Sequence, residues 1–190
     1  MTSPDGTSKD RPERDMGYTT EFEGRVRIDP PLNSHEVRYL TRFAGTRRMN
    51  RRNGPYYCGT GFAGQDHEPD IIDYSRPPAG QPGLWCQWTP AEDGGALEWN
   101  GAEKFYDPVE WMAYLIDTFL KPGAIVGREM AGRVPAANGG RWYAPEFAFF
   151  TCDHIVNGRI LAEGEEFDDR WTLRVTDNFV ERLEGHHRGS

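Results

Sequence analysis

Residues 84–120, LWCQWTPAEDGGALEWNGAEKFYDPVEWMAYLIDTFL, decide how this chain is read. They hold four of its six tryptophans, Trp85, Trp88, Trp99 and Trp111. Such a density of large rings marks a core or a pocket wall. The opening residues alternate, with Leu84, Cys86 and Trp88 on one side and Trp85, Gln87 and Thr89 on the other. That is a strand period with bulky groups on both faces. Residues 90–95 supply a turn and residues 96–99 resume an extended run, which predicts a hairpin. Asn100-Gly101 gives a further turn. Asp107, Pro108, Val109 and Glu110 predict a helix start. Asp107 is the expected N-cap, Pro108 the first helical residue and Glu110 the reciprocal partner of a capping box. Val109, Met112, Ala113, Ile116 and Leu120 then recur at helical spacing, widened by Trp111 and Leu115. Lys121-Pro122-Gly123 ends that helix.

Working towards the N-terminus, residues 53–83 are irregular and rich in glycine and proline. A loop of that length inside a compact body is functional or disordered. Tyr56, Tyr57, Phe62, Ile71, Ile72 and Tyr74 predict that part of it is pinned down. Before it, Asn33 and Glu36 form a capping-box signal, and Val37, Leu40, Phe43 and Ala44 a helical stripe that ends between Gly45 and Met49. Residues 18–28 alternate as a half-buried strand: Tyr18, Thr20, Phe22, Val26 and Ile28 face inward. Gly24 marks a bulge or a close backbone approach. Residues 1–15 carry no apolar pattern and read as a disordered tail, with Met16-Gly17 as the expected start of the folded body.

Towards the C-terminus, residues 123–145 show no clear period. Residues 147–156 read as a strand, Asn157-Gly158 as a hairpin turn, and residues 159–163 as its partner. After an acidic turn, Trp171, Leu173 and Val175 alternate in a further strand. Asp177-Asn178 turns again before a short edge strand over residues 179–183. Burying both helical stripes predicts an α+β fold, an antiparallel sheet with two helices on one face. The first elements follow a ferredoxin-like β-α-β-β-α-β order, and a β-meander completes the chain. The expected organisation is a tail over 1–15, one domain over 16–183 and a tail over 184–190.

Composition narrows the function classes. The net charge of −8 is uneven: residues 1–60 carry +3, residues 61–120 carry −9 and residues 121–190 carry −2. That field disfavours non-specific nucleic-acid binding. No apolar run is long enough to span a membrane. No secretory h-region opens the chain. Three scattered cysteines make no disulfide framework. A cytoplasmic protein is therefore expected.

Four segments carry a resemblance: MGYTTEFEG, RPPAGQPGLWCQW, EWNGAEKFYDPVEWMAYLI and NGRILAEGEEFDDRW. Together they resemble a family of small proteins of bacteria and their phages, over most of the chain from Met16 onward. The resemblance implies a compact single domain and carries no activity with it.

The candidate site gathers Glu98, Glu103 and Lys104 as catalytic groups beside Trp85, Gln87 and Trp99 as a ligand-binding wall. Carboxylates near aromatic surface can divide into an acid and a base. The plainer reading makes them surface charges over self-satisfied indoles. Arg48 and Arg51, with Arg47 and Arg52, lie at a helix end and suit phosphate contacts. Alternatively they serve the helix dipole or pair with the acidic segment. Asp66, His67, Asp70 and Asp73 lack zinc spacing, so no metal site is expected. No cofactor motif occurs, and none is expected. The reading that follows is a binding or interaction protein for an unknown small molecule or protein. The alternative is a small enzyme on a polar or nucleotide-like substrate, using Glu98 and Glu103.

Overall fold

The computed structural model describes residues 19–132, 141–166 and 168–185. In chain order its elements are β1 (Thr20–Asp29), α1 (Ser34–Ala44), β2 (Asn50–Arg51), β3 (Ile71–Asp73), β4 (Trp88–Pro90), β5 (Ala96–Trp99), α2 (Pro108–Leu115), α3 (Ile125–Gly132), β6 (Ile155–Gly164), β7 (Arg170–Thr176) and β8 (Phe179–Glu184). Six strands form one antiparallel sheet in the order β4-β5-β1-β6-β7-β8, and β2 pairs with β3 in a separate ribbon. The expected α+β class and the C-terminal meander are present. The ribbon and α3 interrupt the plain ferredoxin-like alternation.

Alternation along the strands decides which face is covered. Phe22, Val26, Ile28, Leu97, Val156, Ile160, Ala162, Trp171, Leu173 and Val175 are buried on one face, beneath α1 and α2. Glu21, Glu23, Arg25, Arg27, Arg159 and Glu163 stay exposed on the other. Gly24 and Gly158 allow β1 and β6 to approach closely. A Cβ on Gly24 would meet the Arg159 carbonyl at 2.9 Å, and one on Gly158 would meet the Arg25 carbonyl at the same 2.9 Å. Gly24 is thus a close approach and not a bulge, since the register around it is continuous.

The helices start as their sequences dictate, with one difference. The Asn33 side chain accepts from the N–H groups of His35 and Glu36, and Glu36 accepts from the Asn33 N–H at 2.8 Å. The capping box is complete, and α1 ends at Ala44 before Gly45. At α2, Asp107 occupies the N-cap position and Pro108 the first turn, but no capping box forms. Asp107 is in the left-handed region, φ 54° and ψ 46°, and its side chain makes no capping bond. After Leu115 the helix widens into a π turn over Ile116–Leu120, closed by Lys121 N–H on the Ile116 carbonyl. Met112, Leu115, Ile116, Phe119 and Leu120 are all enclosed.

Two other expectations change. Residues 145–149 form a 3-10 turn, and the strand begins only at Ile155. Asn157-Gly158 is not a hairpin: both residues lie inside β6, opposite Arg27 and Val26 of β1. Asn157 instead braces the next turn, accepting from the Asp177 N–H at 2.8 Å. That turn is Asp177-Asn178, with φ 46° and 71°, and it does join β7 to β8. The tail over 1–15 and residue Tyr18 lie outside the described residues, as does the end of the chain from 186 onward. Glu184 closes β8. No described helix is long and apolar enough to cross a membrane.

Candidate functional site

The tryptophan segment is committed to packing. Trp88 and Trp111 are enclosed, and Trp88 donates to the Pro108 carbonyl at 2.7 Å. Phe22 sits at the centre of a ring cluster with Trp88, Trp99, Phe105 and Trp171. Trp99 donates to the Gln87 side chain, whose amide donates to the main-chain carbonyl of Glu103. So Gln87, Trp99 and Glu103 do meet, but through the Glu103 backbone. The Glu103 and Lys104 side chains are exposed in the loop after β5. Glu98 lies on the open face of β5, opposite Arg25 of β1. Trp85 lies apart, beneath the Arg47 guanidinium at 5.9 Å.

Arg48 and Arg51 do not form a phosphate site. Arg48 is 1% exposed and its guanidinium is spent on protein acceptors. It donates to the Pro55 and Tyr57 carbonyls at 2.7 and 3.1 Å and to Gln81 at 3.3 Å, and it lies over the Phe43 ring. Arg51 donates to Glu68 at 2.7 Å, to Asp70 at 3.0 Å and to the Gly64 carbonyl. Adjacent carboxylates occupy the donors an anion would need. Hydrogen bonds from Thr60 and Arg51 outweigh burial at Glu68 and hold its carboxyl below the usual range. Asp66 accepts from Thr60, and Asp73 from the Ser75 N–H. Among the described residues no group of three or more His, Cys, Asp and Glu could hold a metal ion.

Burial works against Cys86 and Cys152 as nucleophiles. Burial pushes the Cys86 thiol up to about 12. Burial and the Glu36 charge raise that of Cys152, which donates to the Phe119 carbonyl. The buried ion pair beside it is His154 with Glu36, 3.1 Å apart and 1% and 0% exposed. Glu36 also accepts from the Thr151 N–H, and His154 Nδ1 meets the Pro30 carbonyl at 2.7 Å. These bonds clasp α1 to the segment entering β6. They face no cleft.

The main cleft lies elsewhere. It encloses about 870 Å³ between residues 79–82, one face of α2, and α3 with Arg141. Asp107, Glu110, Tyr114 and Asp117 fall three, four and three residues apart, which puts them on one helical face. All of them line it. Tyr56 and Gln81 form its floor, where Gln81 donates to the Pro55 carbonyl at 2.7 Å and to the Tyr114 hydroxyl at 3.0 Å. On the far wall Glu129 accepts from Tyr56 at 3.0 Å and from Arg141 at 2.6 Å. Burial raises both tyrosine pKa values, reinforced at Tyr56 by the Glu129 charge, so both phenols stay neutral. Asp117 is paired with Lys121 at 2.6 Å. Asp107 and Glu110 are exposed carboxylates on the rim.

The cleft is therefore acidic, with two neutral phenols and an amide inside. A second cleft of about 720 Å³ lies beyond Ala113 and Asp117 towards Phe179, and a third of about 350 Å³ lies beside β1 and Asp93. Glu98, Glu103 and Lys104 line none of the three. Sequence reading missed Asp107, Glu110, Tyr114 and Asp117 as a site, although their helical spacing was visible. Comparison with known proteins gives no match: no family model matches the chain, and no curated protein or solved structure matches it significantly.

Proposed function

We propose that this chain is a binding protein whose cleft beside α2 takes an organic cation. The observation that carries this reading is the convergence of four carboxylates, Asp107, Glu110, Asp117 and Glu129, on one cleft. Arg141 pairs with Glu129 and Lys121 with Asp117, so the field at the cleft mouth comes chiefly from Asp107 and Glu110. Carboxylate fields in a cleft attract cations, and tyrosine faces add a further attraction for ammonium or guanidinium groups. The segment carrying −9 of the net charge supplies three of these carboxylates. The expected acidic, aromatic binding surface is retained in this reading, with different residues. Glu98 and Glu103 line none of the three clefts described.

Titration calorimetry with spermidine at low salt tests the reading. Wild type gives a saturable heat that weakens as salt is raised, because screening acts on exposed ionic contacts. The double variant Asp107→Asn plus Glu110→Gln loses affinity by about tenfold or more, the equivalent of two weakened charge contacts. Absence of any heat with spermidine, or equal affinity in the variant, contradicts the proposal.

A further inference from the structure

We propose that β8 pairs with β8 of a second copy of this chain, edge to edge and antiparallel, in one register centred on Leu183. The inference is independent of the cation cleft. The six-stranded sheet has two edges, β4 and β8. β4 is three residues long and ends at Pro90, which has no N–H to donate. β8 runs six residues, and among the described residues nothing pairs with its outer side. A free edge of that length is a template for another strand. Its phase is set by β7. The Gly185 N–H donates to the Arg170 carbonyl at 2.9 Å, and bonded pairs alternate along an antiparallel ladder. Phe179, Glu181 and Leu183 therefore spend their main-chain groups on β7, while Val180, Arg182 and Glu184 turn theirs outward.

Charge then selects the register. A two-fold axis through an antiparallel pair sets one residue of the strand opposite its own copy. Centred on Glu181, Arg182 or Glu184, the axis brings two like charges face to face, which is destabilising. A centre on Phe179 or Val180 runs the strand into the partner's Asp177-Asn178 turn, whose left-handed backbone, φ 46° and 71°, holds no ladder. Centred on Leu183, the axis sets Arg182 opposite the partner's Glu184 and Glu184 opposite the partner's Arg182. Both residues carry outward main-chain groups, so each such pair also exchanges two backbone hydrogen bonds. Their side chains are exposed and already lie together, 2.7 Å apart within one strand. Two copies therefore assemble a cluster of alternating charge across the axis. Leu183 meets its own copy on the open face of the sheet. There Leu161, 43% exposed, stands in register with Thr172 and Leu183 across β6, β7 and β8. The second copy continues that row into one apolar stripe between the charges of the open face.

The test measures mass by sedimentation equilibrium on the full chain, over a concentration series reaching about 100 μM, because one added strand is a small interface. Wild type rises from monomer to dimer mass along the series. Arg182→Glu alone sets carboxylate against carboxylate across the axis, and Glu184→Arg alone sets guanidinium against guanidinium. Each of these variants stays monomeric. An equimolar mixture of the two recovers the dimer, because every pair across the axis is again of opposite charge. The double variant Arg182→Glu plus Glu184→Arg recovers it for the same reason, and both recoveries require folded chains. A wild type that stays monomeric throughout, or dimers that persist in both single variants, overturn the pairing. So does a loss of dimer that neither the mixture nor the double variant restores.

Discussion

Arg48 brings its guanidinium into the interior, and among the described residues it makes no salt bridge. Its four nearest acceptors are two main-chain carbonyls, the Gln81 amide oxygen and the Cys58 sulfur. The same Gln81 donates to Tyr114 on the cleft floor, so Arg48 fixes the cleft from below. Replacing Arg48 by Met leaves those acceptors unmet and costs about 2–3 kcal/mol in denaturant unfolding. A near-neutral result would contradict that bracing role. Four arginines around a helix end resemble an anion site in sequence, and only tertiary acceptors distinguish the two. Glu36 teaches the same lesson. Its capping role is local and legible, but its other oxygen serves Thr151 and His154, more than a hundred positions away. Burial opposes the charge on both partners. At Glu36 the bonds from His154, Thr151 and Asn33 prevail and lower its pKa below 4.5. At His154 the bonds to Glu36 and Pro30 prevail and raise its pKa above 6.5. His154 thus stabilises fully below its unfolded value and loses that share as pH rises through its folded value. Glu36 stabilises above its unfolded value and loses its share as pH falls through its folded value. The melting-temperature gap between wild type and His154→Gln is therefore widest near pH 4.5–6.5 and narrows on both sides. A flat gap across pH 4–9 would show that the pair does not titrate with folding.

At the scale of elements, α2 was legible because its apolar residues repeat at 3.6 and a proline opens it. Ile116 is fully enclosed at the start of the π turn. Ile116→Ala leaves a cavity and costs about 2–4 kcal/mol, measured by urea unfolding. A cost under about 0.5 kcal/mol, typical of exposed sites, would mean the stripe is not core. The opposite face of the same helix carries the acidic row, which an apolar count passes over. α3 escaped the sequence because it is only eight residues long and contains Gly127 and Gly132. The first of these lets Cys152 pack against the helix, with its Sγ 3.0 Å from where a Cβ would be. Asn157-Gly158 misled for a physical reason. Glycine there serves a close approach between strands, which sequence cannot tell from a turn.

Across the whole molecule, charge and packing are separated. Trp88 and Trp111 of residues 84–120 lie in the core with Trp99 packed against it, while Asp107, Glu110 and Asp117 of the same stretch line the cleft. The class of fold was legible because alternation and helical spacing are local patterns. The cleft was not, because it joins α2 to residues 55–56 and 79–82, to α3 and to Arg141. Only its α2 wall has a continuous sequence signature. Amide chemical shifts of the isotopically labelled protein, titrated with spermidine at low salt, locate the cation on the surface. The largest changes fall on Gln81, Glu110, Tyr114 and Glu129, around one cleft. Changes spread evenly over the acidic surface, or gathered on Glu98, Glu103 and Lys104, would contradict a cation cleft.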